Sequence, residues 1–246
     1  MNPTEFKYRF SVLFDNIMSN AAPGMTDYEI SYYLTKGQLE LAKNYFNPLG
    51  NKYSEGLDGS KKRQADFSAL IQTETLTKVE GATPAFDRRA EVYRFPASFI
   101  GIINESIDIR KESTTYTKQV VPISYSEYMR LMARPYKEPL KNQAWRLFEG
   151  PERVELITST SDRDLSKTYN IRYVRYPKPI IVSNLHDLSP DLELDGEYLE
   201  RTSELNEEMH EEIIQRAVEL AKAAYSSDQS GQAQMQNQIT VGQRSE

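Results

Sequence analysis

Cysteine is absent from the 246 residues, which removes disulfides, thiolate nucleophiles and every cysteine-bound zinc or iron–sulfur site, and leaves the chain indifferent to redox compartment. Histidine is scarce, with two residues, His186 and His210. No run of about 18 apolar residues occurs, so no segment reads as a membrane helix, and no membrane is expected among the partners. The first residues also lack the charged start and apolar stretch of a cleavable export signal. Apolar residues make up 39% of the chain, 16 tyrosines included, and the mean hydropathy is -0.64, low for a globule of this size. Such a composition fits a chain that completes its burial against neighbours. The excess of 16 Tyr over 9 Phe points the same way, because tyrosine buries area while keeping a wet hydroxyl.

What is present is unevenly spread. The net charge is -6, yet residues 187–212 hold eleven acids against the single base Arg201, so the rest of the chain is positive. Its bases come in scattered groups, Lys61, Lys62 and Arg63, Arg88 and Arg89, Arg172 and Arg175, rather than the single stripe expected of a nucleic-acid groove.

Periodicity orders the chain. Asn2-Pro3-Thr4-Glu5 reads as a helix start, with a cap, proline at the first helical position and an acid in the first turn. Phe6, Phe10, Leu13, Phe14 and Ile17 then recur at helical spacing. Thr26-Asp27-Tyr28-Glu29 is a capping box opening a second helix with the stripe Ile30, Leu34, Leu41 and Tyr45. A polar, glycine-bearing loop over 48–65 and a short helix carrying Phe67, Leu70 and Ile71 follow. From about residue 90, β-branched and aromatic stretches bounded by Gly, Pro, Asn or Ser predict strands, with one helix over Ser124–Arg134. Pro177-Lys178-Pro179 opens an aperiodic acidic segment, read as an arm lying on a neighbour. The last helix carries Met209, Ile213, Ala217, Leu220 and Ala224, an alanine-rich seam suited to close packing on the N-terminal hairpin.

The fold class expected is α+β: a small bundle of two N-terminal helices plus the C-terminal helix, with an inserted antiparallel β region and extended arms. The expected divisions are a helical hairpin, long loop and short helix over 1–84, a strand-rich insertion over 85–180, an acidic extended arm over 181–203, the closing helix over 204–225, and a tail over 226–246. In that tail Ala233, Met235, Ile239 and Val241 fall on alternate positions opposite glutamines. Period two predicts an extended strand seated on another subunit; a continuation of the last helix competes, since Gln and Ala are good helix formers.

Catalytic chemistry finds little footing. Glu207-x-x-His210 has the spacing of a di-iron helix, but such sites need the motif twice, and a solvated helix start is the plainer reading. His186 lies beside Asp187 with no serine nucleophile to serve. Gly56 to Lys61 approaches a phosphate loop with the wrong glycine spacing. Tyr173, Tyr176, Arg172 and Arg175 could stack bases, although alternation along a strand accounts for them. No catalytic, cofactor or metal residue is assigned, and no cofactor is expected.

The arrangement resembles the head–tail connector (adaptor) and ring proteins of tailed phages, in particular crAss-like phages of Bacteroides. The stretch Arg172-Tyr173-Val174-Arg175-Tyr176-Pro177-Lys178-Pro179-Ile180 is similar to their strand and Pro-x-Pro. Met209-His210-Glu211-Glu212-Ile213-Ile214 and Ala217-Val218-Glu219-Leu220-Ala221 are similar to their closing helix, and Phe95-Pro96 stands where relatives carry Leu-Pro. The resemblance implies a non-enzymatic virion protein in the neck: a ring of twelve copies, bound to the portal or to other neck and tail rings, with genomic DNA passing through its lumen. Asp191, Glu193 and Asp195 are then candidates either for lining the channel or for docking on a basic patch of a neighbour. The rival class is a nucleic-acid-binding accessory protein.

Overall fold

Asn2 caps the first helix in both directions. Its side chain accepts from the Glu5 N–H at 2.7 Å, and its own N–H donates to the Glu5 carboxylate at 3.0 Å. In the computed structural model, which describes residues 1–15, 24–46, 65–134, 137–150 and 152–225, this helix, α1, spans Pro3–Asp15. Thr26 and Glu29 repeat the reciprocal cap for α2, Asp27–Phe46. The chain divides into two units, one of Met1–Leu70 with Pro177–Glu246, the other Ile71–Tyr176. No helix among the described residues is long and apolar enough to cross a membrane.

The first unit is built on three helices. After a turn at Glu207–Met209, α4 occupies residues 210–225. Phe6 packs on His210 with ring centroids 5.0 Å apart and Phe14 on Tyr225 at 5.5 Å, so α1 and α4 run in the same direction. Phe6, Phe10 and Phe14 are buried, each burial stabilising by roughly 2–3 kcal/mol. Against α2, which runs the opposite way, α4 presents Ile213, Ala217 and Ala221, all fully buried. Gly37 of α2 is the point of closest approach. A Cβ there would lie 3.0 Å from the Ala217 nitrogen and 3.1 Å from the Ile213 carbonyl oxygen, so the two backbones meet where only hydrogen fits.

The second unit is a seven-stranded sheet in the order β1-β7-β3-β4-β5-β6-β2. Its strands are β1 Ile71–Leu76, β2 Glu91–Arg94, β3 Gly101–Lys111, β4 Thr114–Pro122, β5 Gln143–Phe148, β6 Arg153–Ile157 and β7 Ser166–Val174. The sheet curls until its ends meet: Arg94 N–H donates to the Thr77 carbonyl at 2.9 Å and Val79 N–H to that of Val92 at 2.8 Å, around a bridge between Lys78 and Tyr93. Closure into a barrel leaves most strands paired on both sides. Ile107, Ile109, Tyr93, Tyr169 and Leu156 fill the interior. Outside, Trp145, Leu147 and Ile157 lie under helix α3, Tyr125–Met132, which Ser124 caps through the Glu127 N–H.

Three expectations change. The pairing is not wholly antiparallel, since β4 and β5 run parallel; α3 supplies the return path that a parallel pair requires. Ile71 begins a strand rather than ending a helix, and only Ser68–Leu70 makes a helical turn, so the strand-rich part starts before residue 85. The segment 181–203 folds back on its own helices instead of reaching away: Ile180, Ile181, Val182 and Leu185 are buried, and Ile181 bridges Arg201. Ile181, Val182, Leu185 and Leu194 find cover within the chain. Ser31 accepts from the Val182 N–H at 3.1 Å, and Gln38 donates to the Lys178 carbonyl at 2.8 Å.

Candidate functional site

The acidic segment forms a braced loop on the helical unit. Its base is closed by the reciprocal Ile181 and Arg201 backbone bonds at 2.9 Å, and its middle by the Leu185 N–H donating to the Tyr198 carbonyl at 3.0 Å. Its far end is a tight hairpin: Leu194 and Glu197 exchange backbone bonds at 2.8 and 3.0 Å, across Asp195 and Gly196 with φ of 51° and 78°. Two positive φ values make a type I′ turn, for which Asp-Gly is a favoured pair. That dipeptide was the available sequence signal for order here.

Asp191, Glu193 and Asp195 are exposed on this loop, as are Leu188 at 53% and Leu199 at 56%. Leu194 instead turns inward and joins Ile181 and Leu185 in a small core. His186 stacks on Tyr198 with ring centroids 3.7 Å apart and planes 5° apart, and its Nε2 lies 4.0 Å from Glu193. It serves as packing for the loop. Apolar anchors ringed by acids, on a backbone fixed at three levels, make a surface that can dock without first being ordered.

His210 is not solvated at the helix start. It is 3% exposed, packed on Phe6, with Nε2 3.1 Å from the Leu205 carbonyl and Nδ1 3.1 Å from the Met1 nitrogen. Burial pushes its pKa below 6.5. Glu207 meanwhile stays exposed, so the Glu-x-x-His spacing assembles no ligand pair. Tyr173 is also buried, its hydroxyl donating to Glu74 at 3.0 Å, which takes it out of any base-stacking face. Ala233, Met235, Ile239 and Val241, and the glycine loop from Gly56, lie outside the described residues.

The barrel unit holds polar clusters that the linear sequence could not reveal, because their members are far apart along it. Lys118 ion-pairs with Asp162, which also accepts from Ser159 and from the Tyr116 hydroxyl at 2.6 Å. Lys118 beside Ser159 superficially suggests a serine–lysine pair. Burial opposes ionisation of Asp162, but the bonds from Lys118, Ser159 and Tyr116 outweigh it and lower its pKa from 3.8 to about 2, so Lys118 and Ser159 are both engaged by a charged carboxylate. Elsewhere Glu155, fully buried, accepts the backbone N–H groups of Ala85, Phe86 and Asp87, fixing that loop against the barrel.

Asp162 gives the barrel an acid-sensitive bond. A folded-state pKa of about 2 against 3.8 means that its stabilisation is fully present above about pH 4 and is lost as the pH falls towards 2. Urea midpoints measured between pH 5 and 2 should fall with acid, and the fall should be shallower in Asp162→Asn. Parallel curves for the two proteins would rule out this contribution.

The arrangement is one of packed and paired side chains with an exposed acidic loop. Ring protein 4/5 of Bacteroides phage crAss001 is 49% identical over 250 residues, covering 100% of both chains. Ring protein 3 of the same phage is 28% identical over 227 residues, 90% of this chain and 95% of its own. The family model described as phage tail ring protein 3/4 matches residues 1–233. With every described residue inside that match, the chain belongs to the phage tail ring protein 3/4 family.

Proposed function

We propose that the chain is a structural subunit of a closed ring of twelve copies in the head–tail neck of the virion, joining the portal or neighbouring rings and surrounding the DNA channel, without catalytic role or cofactor. The observation that carries this reading is the full-length likeness to a protein named Ring protein 4/5. The buried pairs Lys118 with Asp162 and Glu105 with Arg146 support it, since their charges balance one another. The surface hollow lined by Val79, Arg94, Glu149, Gly150, Glu152 and Arg153 behaves likewise, with Arg94 paired to Glu152 and Arg153 to Glu149, each at 3.2 Å. In the ring the C-terminal segment with Ala233, Met235, Ile239 and Val241 contacts an adjacent subunit.

Native mass spectrometry of the full-length chain, with cross-linking of purified particles, tests the assignment. A twelvefold mass and cross-links from one copy to the next and to the portal or another ring are expected. A chain ended after Asp228 should melt as the parent does and assemble more weakly. Tight, steeply salt-dependent DNA binding by a chain that stays monomeric would instead favour the accessory-protein reading.

A further inference from the structure

On the barrel unit the exposed side of α3 carries an apolar patch where a solvated helix face would carry charge. Tyr125 is 51% and Met129 52% exposed, four residues apart and hence on one side of the helix. Phe86 lies against Tyr125 with ring centroids 4.9 Å apart. The patch is held in place from below. Glu155 fixes the Phe86 backbone, and Asp87 pairs with Arg89 at 2.7 Å, whose Nη2 also reaches the Met132 sulfur at 3.4 Å. A fixed aromatic and methionine cluster, rimmed by polar groups, is the composition of a protein interface centre. Arg88, Arg130 and Arg134 stand exposed in the same two segments. The whole barrel unit, Ile71–Tyr176, holds seventeen Lys and Arg against fourteen Asp and Glu, while the helical unit holds thirteen against twenty-two.

We infer that this patch is the seat for the acidic loop of an adjacent copy, so that the ring closes through Tyr125, Met129 and Phe86 of one subunit against Leu188 and Leu199 of the next. The inference rests on the ring reading above. Two different surfaces of one chain that complement each other make a head-to-tail contact, the kind that generates rings when the rotation closes. The complementarity is twofold: apolar against apolar, and Arg88, Arg130 and Arg134 against Asp191, Glu193 and Asp195. Opposed charges of this sort speed and orient docking and penalise wrong registers.

Charge reversal with rescue tests it, read as ring population by native mass spectrometry at equal concentration. Arg130→Glu with Arg134→Glu should lower the ring population about tenfold, and Asp191→Lys with Glu193→Lys and Asp195→Lys by a similar factor. A chain carrying both reversals should recover to within about threefold of the parent, because the side chains reversed on the two surfaces again join opposite signs and Arg88 alone then faces like charge. Tyr125→Ser with Met129→Ser should also disassemble rings while leaving the melting curve in place. If either reversal assembles as the parent does, or if the combined chain is no better than the weaker reversal, the inference fails and the ring reading stands. A parent chain that never forms rings overturns both.

Discussion

Replacing Gly37 with leucine is expected to unfold the helical unit, and Gly37→Ala to destabilise it by about 1–3 kcal/mol. An unobstructed glycine in a helix would give the opposite result, since alanine there gains about 1 kcal/mol in helix propensity. At Gly37 the added carbon meets the Ala217 nitrogen at 3.0 Å, the Ile213 carbonyl oxygen at 3.1 Å and the Ala217 Cα at 3.3 Å. These are backbone atoms of a packed helix and cannot swing aside as a side chain would. α2 and α4 must separate, which loosens Ile213, Ala217 and Ala221 and strains the Arg216 to Glu40 pair at 2.7 Å. Urea unfolding followed by circular dichroism decides the matter: a Gly37→Ala protein as stable as the parent would show that the helices are not pressed together at this point.

A larger loss than that of Gly37→Ala is expected inside the barrel from Glu105→Gln. Glu105 and Arg146 are each about 5% exposed, with Nε 2.8 Å from the carboxylate. Tyr169 donates its hydroxyl to the same carboxylate. The guanidinium lies 4.3 Å from the centroid of Phe148 and 5.6 Å from that of Phe95, and its buried Nη1 has no hydrogen-bond partner among the described residues. Its charge is therefore balanced by one carboxylate and by ring faces. Removing that carboxylate leaves a buried cation uncompensated, at a cost of about 3–5 kcal/mol. Removing both charges together, as Glu105→Leu with Arg146→Met, should cost far less, because neither ion then needs compensating. Stability measured on the single and the double variant separates the cases, and equal losses from the two would contradict a mutual charge balance.

The helices were legible because their signals are local. Asn2 with Glu5 and Thr26 with Glu29 announce their caps within four residues, and Phe6, Phe10 and Phe14 recur at the helical period. The central strands were legible as β-branched and aromatic runs. β1 was not, because Gln72, Thr73, Glu74 and Thr75 are exposed on an outer strand and carry no apolar run. The direction of β5 was equally hidden, since periodicity shows a strand but not its partner. The acidic loop was read from its charge and not from its few buried residues, so Ile180, Ile181 and Leu185 passed unnoticed as anchors. His210 misled for a related reason: three of its flanking residues are acids, but the helix turns it inward. Contacts such as Lys118 with Asp162 exist only once the barrel has closed.

The two passages between the units also bear on how the chain folds. Ile71 and Val174 are register partners across the β1 and β7 ladder, so the barrel takes in the chain and returns it at one place. The helical unit, by contrast, is assembled from segments far apart in sequence, as in the bonds of Met1 to His210 and of Thr202 to Met1. Closing a flexible loop of the barrel's length would cost on the order of 4 kcal/mol in chain entropy. A formed barrel spends that entropy beforehand and holds Ile71 and Val174 in register. The order of events is thereby biased: the continuous middle of the chain folds as a staple, and the first and last helices meet afterwards across what has become a short connection.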